Sequence, residues 1–470
     1  GEGAAMNRLF GKYHRVHMIG VGGAGMEGLA RVLAAKGCRV SGSDRVESKE
    51  LALLRSEGFT VYVGHDGSQI EGVDLVVYSA AVPADNPERS AAIKQGIPTA
   101  SRADVLGELS RTPITLAVSG THGKTTTASM TASILRLAGL EPQVLVGGWL
   151  NGCPQAELGR GEVFVVEADE FARSFLRLYP SIALVTGVDA EHLDCYGDLE
   201  TLERAFHQFL DRLPFYGYGI LAGDGLVGER VFKGLERVCR TYGMNAENDY
   251  RITDLEQRAW GSRFTFCYAG QKLGEIELQA HGAHNVRNAA GAAALAHGIQ
   301  VDFAAISGAL QQFTGVDRRY QYKGEVDGIL VVDDYAHHPA ELAAVLAAAR
   351  QSGRRVVAVF QPHLYSRTRD FAEDFARELA AADHVVLTEV YAAREEPMPG
   401  IDSGLIERAL RSRGYVFVDY LPQREGLIPH LTELCRPGDL VLVMGAGDIA
   451  GAAEDLLAAL AGKSLAEVKS

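Results

Sequence analysis

Short apolar runs alternate along this chain with longer segments whose apolar residues recur at the helical period. This alternation is typical of βαβ units built around mostly parallel sheets. It predicts helices at 24–35, 128–137 and 284–297, and strands at 16–20, 39–43, 74–79, 114–118, 163–168, 182–188, 329–333, 356–360, 384–388 and 440–444. The chain is therefore expected to have an α/β fold.

These elements fall into three blocks, which we interpret as three domains. The predicted limits are 6–109 for an N-terminal, Rossmann-like domain, 110–313 for a central domain and 314–470 for a C-terminal domain that returns to the βαβ pattern. A length of 470 residues is also typical of about three domains. No Pro- or Ser-rich linker marks the borders, so their positions rest on the pattern of elements alone.

A glycine-rich loop separates the predicted strand at 114–118 from the following helix. Its sequence is Gly120-Thr121-His122-Gly123-Lys124-Thr125-Thr126. Backbone N–H groups at such a strand-to-helix turn can cradle phosphate, while Lys124 reaches the terminal phosphates and Thr125 a magnesium ion. Val118 stands where the general P-loop pattern has its first glycine, so this loop is a shorter variant. We expect it to bind ATP with Mg²⁺.

The N-terminal domain carries a second glycine-rich turn. Gly20-Val21-Gly22-Gly23-Ala24-Gly25 follows the first predicted strand, and Asp44 ends the next one. Read alone, this fingerprint indicates a nicotinamide-dependent dehydrogenase. The fingerprint is not specific for NAD, because small residues permit close approach of the backbone and a helix N-terminus attracts any pyrophosphate. Since an ATP-type loop follows in the same chain, we favour a UDP-like diphosphate and keep NAD as the alternative.

Acidic residues end two predicted strands of the central domain. The run Glu167-Ala168-Asp169-Glu170 lies where the ligands of open α/β sheets gather, which makes Glu170 a candidate magnesium ligand. His192 lies in the acidic loop at 189–194, after the next strand. It could bind a second metal ion or carry a proton, although a lone loop histidine is more often solvated.

Composition and charge exclude several classes of function. A net charge of −14 argues against nucleic-acid or acidic-membrane binding, because a polyanion needs a basic surface field. The six cysteines have no metal-ligand spacing, which favours reduced thiols. No apolar run is long enough to span a bilayer, and no signal peptide is expected. We therefore predict a cytoplasmic enzyme with no nucleic-acid partner and no membrane insertion.

A series of motifs extends over nearly the whole chain. In chain order they are HMIGVGGAGM at 17–26, SGSD at 41–44, GTHGKTT at 120–126, EADE at 167–170, His284-Asn285 with Asn288, DDYAHHP at 333–339, FQPH at 360–363, YSRTRD at 365–370 and MGAGD at 444–448. Together they resemble the ATP-dependent Mur ligases of bacterial cell-wall synthesis. Several separate motifs in the same order make a chance match implausible.

The resemblance implies a fold and a reaction. A Rossmann-like domain for a UDP-sugar, a P-loop ATPase domain and a Rossmann-like domain for an amino acid would follow one another. ATP would phosphorylate the lactyl carboxylate of UDP-N-acetylmuramate, and the amine of L-alanine would displace phosphate from the acyl phosphate. The implied setting is peptidoglycan precursor synthesis in a bacterial cytoplasm, by a monomer or homodimer.

The resemblance also implies roles around ATP. Lys124 would hold the β- and γ-phosphates together with the loop at 120–126. Thr125 and Glu170 would bind one magnesium ion, and His192 a second one beside the acyl phosphate.

Two further ATP contacts are implied from outside the loop. Asn288, with His284 nearby, resembles the adenine contact of the family. Arg319 looks like the arginine that meets the nucleotide phosphates from the third domain, with Arg318 supporting it. If so, Arg319 completes the site only when that domain closes.

The remaining implied residues contact the other two substrates. Those for the UDP-sugar are Gly22, Gly23, Ala24, Gly25, Met26, Asp44, Ser79, Asn86 and Arg102. Those for L-alanine are Tyr335, His337, His363 and Arg367, with His337 also counted as catalytic. Arg367 would clamp the alanine carboxylate, because a guanidinium binds it in a bidentate manner.

The sequence departs from the family pattern at two positions. Leu364 stands where many relatives have a second arginine, which puts a two-arginine clamp in doubt even with Arg369 nearby. Ala172 lies near a position where many relatives have an aspartate, which weakens the contacts expected of that loop to the muramyl group.

Three alternatives stay open at this point. A recycling ligase of the same family, which attaches a ready-made peptide, would share the first two domains, although the segment at 360–368 looks like the alanine-adding form. An NAD(P)-dependent oxidoreductase leaves Lys124, Glu170 and Arg319 without a purpose. An ATP-gated regulatory switch predicts no phosphate release that depends on two substrates.

Overall fold

The computed structural model describes residues 10–150, 153–190, 196–258, 261–279, 282–393 and 395–469. They form two compact units, Gly1–Phe313 and Thr314–Ser470. Three sheets, each flanked by helices and mostly parallel, confirm the predicted α/β class. In the residues described, no helix is both long and apolar enough to cross a bilayer.

The first sheet belongs to the first unit. Its elements are β1 (Arg15–Ile19), α1 (Met26–Ala35), β2 (Arg39–Asp44), α2 (Lys49–Ser56), β3 (Thr60–Val63), β4 (Leu75–Tyr78), α3 (Pro87–Lys94), β5 (Thr99–Ser101) and α4 (Arg102–Leu109). The strands are parallel in the order β3-β2-β1-β4-β5. Helix α1 begins two residues later than predicted because Gly25 adopts φ +74° and ends the glycine turn.

The second sheet, in the same unit, has ten strands in the described part of the chain. The elements are β6 (Ile114–Ser119), α5 (Lys124–Leu137), β7 (Gln143–Leu150), β8 (Cys153–Glu157), β9 (Val163–Glu167), β10 (Ile182–Val185), α6 (Leu199–Asp211), β11 (Tyr218–Ala222), α7 (Glu229–Phe232), β12 (Val238–Gly243), β13 (Tyr250–Gln257), β14 (Ser262–Tyr268), β15 (Gln271–Leu278), α8 (Ala283–Gly298) and α9 (Phe303–Gln312). The order is β15-β14-β13-β12-β11-β10-β6-β9-β7-β8. The middle strands are parallel, and both ends of the sheet are antiparallel.

The third sheet belongs to the second unit. Its elements are β16 (Gln321–Val326), β17 (Ile329–Asp334), α10 (Pro339–Gln351), β18 (Arg355–Phe360), α11 (Tyr365–Leu379), β19 (His384–Thr388), α12 (Gly404–Ser412), β20 (Val418–Leu421), α13 (Leu427–Leu434), β21 (Asp439–Met444) and α14 (Ala452–Lys469). The order is β16-β17-β21-β18-β19-β20, and in the part of this unit that the structure describes only β16 runs antiparallel to its neighbour. Strands β17, β18 and β21 are buried almost throughout, as expected when helices cover both faces.

Candidate active site

The loop between β6 and α5 has the backbone of a phosphate-binding loop. Helix α5 starts at Lys124, four residues before the predicted start. The N–H groups of its first turn, which have no partner within the helix, therefore lie next to the loop. Gly123 precedes it at φ +77°, and a Cβ there would collide with the side chain of Asn288. The N–H of Thr121 is anchored to the carbonyl of Gly187 at 2.9 Å. Gly123 is therefore required by conformation and by space.

Lys124 is held at the end of the neighbouring strand. Its Nζ donates to Glu170 Oε2 at 2.7 Å and lies 3.7 Å from Asp169 Oδ1. Burial lowers the pKa of Lys124, but the carboxylates of Glu170, Asp169 and Glu167 outweigh burial and raise it overall. The side chain is therefore a fixed positive charge beside the loop.

Glu167 also belongs to the site, although its sequence context predicted no role for it. It accepts from the Thr125 hydroxyl at 2.9 Å on Oε1 and from the N–H of Gly147 at 3.0 Å on Oε2. Its signal in the sequence was its place at the end of β9, which pairs in parallel with β6 so that Glu167 lies opposite Val118. Thr125, Glu167 and Glu170 together offer only oxygen donors, the set that Mg²⁺ prefers.

The other predicted ATP residues are placed around this loop. Asn288 is buried on α8 against Gly123, and its amide donates to Asn285 at 3.4 Å. His122 is half exposed and lies 3.1 Å from Asp189, while His284 folds back over Gly282 at the start of α8. His192 lies outside the described residues, so its predicted roles stay predictions.

The glycine turn of the first sheet brings together most residues predicted for the UDP-sugar. Gly22 N–H donates to Asp44 Oδ2 at 3.0 Å, and the Arg102 guanidinium lies against Gly25 at the N-terminus of α1. Ser79 borders Gly20 on the other side of the turn. Arg102 Nε is buried and has no acceptor among the described residues. A buried unsatisfied donor at a helix N-terminus suits an anionic ligand.

Asn86 differs from the other members of that group. It is buried at the start of α3, where its side-chain oxygen accepts from the N–H groups of Glu88 at 3.0 Å and Arg89 at 3.2 Å. This is helix capping, so the side-chain oxygen of Asn86 is occupied within the protein.

In the second unit, the four residues predicted for the amino acid form one cluster. The rings of His337 and His363 are 5.7 Å apart, and Tyr335 lies 5.1 Å from His337. Arg367 Nη1 approaches His363 Nδ1 at 3.3 Å. Burial, with Arg367 and Arg319 nearby, lowers the pKa of His337 despite the opposing effect of Glu341. His337 is therefore mostly neutral near pH 7.

The adjacent arginines have different environments. Arg318 binds Asp333 at 2.9 and 3.2 Å and the carbonyl of Gly445 at 2.7 Å. Burial raises the pKa of Asp334 and lowers that of His337, and the nearby charge of Arg319 acts to lower both. Arg318 is thus held by hydrogen bonds within the third sheet, and Arg319 is close enough to Asp334 and His337 for its charge to influence both.

Both departures from the family pattern lie at strained backbone. Leu364 has φ +71° directly before α11, and Ala172 has φ +51° in the turn after Glu170. Non-glycine residues rarely adopt such angles, and they concentrate at functional sites. Leu364 is therefore expected to hold the turn between His363 and α11.

Known protein families match most of the chain. Three family models match in chain order: the Mur ligase family catalytic domain at 15–112, the Mur ligase middle domain at 118–296 and the Mur ligase glutamate ligase domain at 318–447.

Two relatives and two solved structures illustrate the match. The UDP-N-acetylmuramate–L-alanine ligase of Geotalea daltonii is 42% identical, over 96% of this chain and 98% of its own. That of Salinibacter ruber is 44% identical, over 94% of each chain. The UDP-N-acetylmuramate-alanine ligase of Thermotoga maritima has a TM-score of 0.77 at 27% identity, covering 96% of this chain and 99% of its own. A murein peptide ligase from Psychrobacter arcticus has a TM-score of 0.68 at 26% identity, covering 95% and 98%.

Proposed function

This chain belongs to the Mur ligase family, and we propose that it joins L-alanine to the lactyl carboxylate of UDP-N-acetylmuramate at the expense of ATP. The products would be UDP-N-acetylmuramoyl-L-alanine, ADP and phosphate. The step belongs to peptidoglycan precursor synthesis. Because the reaction consumes ATP, we place it in the cytoplasm, and we keep monomer and homodimer as the expected states.

The observation that carries this proposal is the Lys124–Glu170 pair at the glycine loop. A lysine at a helix N-terminus, held at 2.7 Å by a buried carboxylate, is a combination suited to a nucleotide triphosphate with its metal ion. A dehydrogenase built on the first glycine turn would have no use for it. The identity to L-alanine ligases over nearly the full chain specifies the acceptor.

The first step transfers the γ-phosphoryl group of ATP to a lactyl carboxylate oxygen. Lys124, freed from Glu170 as phosphate enters, neutralises charge on the transferring group. Thr125, Glu167 and Glu170 would hold magnesium, which supplies further positive charge to the phosphates. The loop N–H groups and Asn288 hold the nucleotide in place.

In the second step the amine of L-alanine attacks the acyl carbon, and phosphate leaves from the tetrahedral intermediate. The amine must lose a proton, and His337 is our candidate acceptor. Its Nδ1–H donates to the carbonyl of Tyr335 at 3.0 Å, which leaves Nε2 as the basic atom of a neutral ring. Arg367 would bind the alanine carboxylate.

The test is magnesium-dependent phosphate release from ATP with UDP-N-acetylmuramate and one of four acceptors. These are L-alanine, glycine, L-serine and the tripeptide L-alanyl-γ-D-glutamyl-meso-diaminopimelate. We expect release to require the sugar nucleotide and to be fastest with L-alanine. Preference for the tripeptide would move the chain to the recycling branch, and no acceptor-dependent release would reject the ligase.

A further inference from the structure

A carboxylate is buried beneath the glycine turn of the first sheet. Glu88, in the first turn of α3, is fully buried and accepts three hydrogen bonds. His17 Nε2 approaches its Oε1 at 2.7 Å, and Ser43 Oγ and His65 Nδ1 approach its Oε2 at 2.6 and 2.7 Å. Burial raises the pKa of Glu88, but the bonds from His17, Ser43 and His65 outweigh it and lower the pKa. The group is therefore a carboxylate at neutral pH.

This network joins four separate segments of the chain in and around the first sheet. His17 lies on β1, Ser43 on β2, His65 in the loop after β3, and Glu88 on α3. The second ring nitrogen of His17 is 2.8 Å from the hydroxyl of Ser41, on the same strand as Ser43. His17 thus lies between Glu88 at one ring nitrogen and Ser41 at the other. Hydrogen bonds therefore tie β1, β2 and the loop after β3 to Glu88 on α3.

Ser43 connects this network to the glycine turn. The carbonyl of Ser43 accepts from the N–H groups of Gly20 at 2.8 Å and Val21 at 3.1 Å. The next residue, Asp44, binds the N–H of Gly22 at 3.0 Å. The side chain of Ser43 thus donates a hydrogen bond to Glu88, and its backbone carbonyl accepts from the start of the turn.

Stability alone does not account for a charge in this place. The apolar cluster on this face contains only Ile19, Ile70, Val76 and Ala92 as buried members among the residues described. Replacing a buried ionic group by well-packed apolar residues is often neutral or stabilising. A directional network, unlike an apolar contact, fixes β2 against α3 at one register.

We propose that Glu88 is a positioning residue for the UDP-sugar, which acts through Ser43 on the turn at 20–25. The inference rests on the proposed function, because it takes that turn as the sugar-nucleotide site. Glu88 touches no substrate in this proposal. Its role is to hold the N–H groups of the turn in the arrangement that receives the diphosphate.

The test compares Glu88→Gln, Ser43→Ala and the control Glu57→Gln in the full-length protein. Glu57 pairs with Arg31 at 2.8 Å on the surface of the same domain and serves as the matched change. Glu88→Gln turns one acceptor into a donor, so we expect the KM for UDP-N-acetylmuramate to rise roughly tenfold. The kcat and the KM values for ATP and L-alanine should stay within about twofold, since those sites lie elsewhere.

Ser43→Ala removes the link to Glu88 and keeps the carbonyl that binds Gly20 and Val21. We expect the same selective rise in sugar-nucleotide KM, by roughly threefold. Circular dichroism and thermal unfolding check that each variant folds. If Glu88→Gln does not fold, Ser43→Ala decides the question.

Two outcomes would overturn the role of Glu88. One is an unchanged sugar-nucleotide KM in either folded variant. The other is a parallel change in all three KM values and kcat, which indicates general damage. Failure of the proposed function has a different signature, because the unchanged protein and Glu57→Gln would then show no phosphate release that depends on UDP-N-acetylmuramate.

Discussion

Glu170 accepts a hydrogen bond from Lys124 in the structure, and in the proposed reaction it binds a metal ion. Glu170→Gln keeps the shape of the side chain and removes its charge. We expect the Mg²⁺ concentration for half-maximal phosphate release to rise roughly tenfold or more, because a neutral amide is a weaker ligand. The measurement is a Mg²⁺ titration of the initial rate at saturating substrates.

The control for Glu170 is Glu157→Gln, which removes a surface partner of Arg136 in the same domain. Its Mg²⁺ titration should match that of the unchanged protein. An unshifted titration in Glu170→Gln would remove Glu170 from the metal site and leave it as the partner of Lys124 alone.

Asp334 gives the second unit a stability that depends on pH. Burial raises its pKa to about 6, although Arg319 and the N–H groups of Ala336 and Tyr320 oppose the rise. An unfolded aspartate has a pKa of about 3.9, so between these values the folded state binds more protons. Stability from this group is complete below pH 4 and is lost as pH rises through 6, by about 2 to 3 kcal/mol.

Chemical denaturation of the unchanged protein and Asp334→Asn at pH 4 and pH 7 measures this effect. Relative to the unchanged protein, the free energy of unfolding of the variant should rise by about 2 to 3 kcal/mol between pH 4 and pH 7. Asp374→Asn, a surface change in the same unit, should give no such gain. Equal differences at both pH values would show that Asp334 does not titrate in this range.

At the scale of elements, Gly123 before α5 is required for two reasons that can be tested separately. One is its left-handed backbone, and the other is the lack of space for a side chain. Gly123 and Gly139 lie at the two ends of α5 with nearly equal φ angles, +77° and +74°. A Cβ at Gly139 meets nothing within 4 Å, whereas one at Gly123 collides with Asn288. Alanine at either position should cost about 1 kcal/mol of stability from the left-handed backbone.

Only Gly123→Ala should also damage catalysis. We expect its kcat/KM for ATP to fall roughly 100-fold, because the added methyl group displaces Asn288 and the loop N–H groups. Gly139→Ala should keep the kcat/KM of the unchanged protein while losing similar stability. Equal kinetics in the two variants would mean that the loop does not bind the nucleotide.

The elements that could be predicted from sequence were those with strong local patterns. Strands β6, β9, β18 and β21 are buried apolar runs and were predicted to within a residue or so at each end. The antiparallel strands at the edges of the second sheet were missed, because one-face burial along β13 and β15 mixes polar and apolar residues.

For the whole molecule, the α/β class with three sheets was predictable, but the partners of individual charges were not. Lys124 and Glu170 were predicted from their local context, and His337 from the family resemblance of its motif. Glu88 gave no such signal, since His17, Ser43 and His65 meet it only through the order of strands in the first sheet. A buried network of this kind depends on pairings across the chain, which local patterns do not specify. The predicted domain limits of 6–109, 110–313 and 314–470 stay predictions.

The proposed chemistry divides its residues between the two units. Lys124 and Glu170 belong to the first unit, and Arg319 and the amino-acid cluster belong to the second. If Arg319 meets the nucleotide only during catalysis, removing it should slow the reaction without weakening the binding of ATP to the resting protein. We expect Arg319→Ala to lower kcat roughly 100-fold or more and to keep the Kd of a non-hydrolysable ATP analogue within about threefold.

Arg413→Ala, which removes an exposed partner of Glu373 in the same unit, is the control and should leave both quantities unchanged. Phosphate-release kinetics and isothermal calorimetry supply the two measurements. The opposite split, a weaker analogue Kd with an unchanged kcat, would make Arg319 a binding residue of the resting state and would refute a role confined to catalysis. A loss of thermal stability in Arg319→Ala alone would instead assign Arg319 to the buried carboxylate of Asp334, whose pKa would then rise further because the charge that opposes the effect of burial is gone.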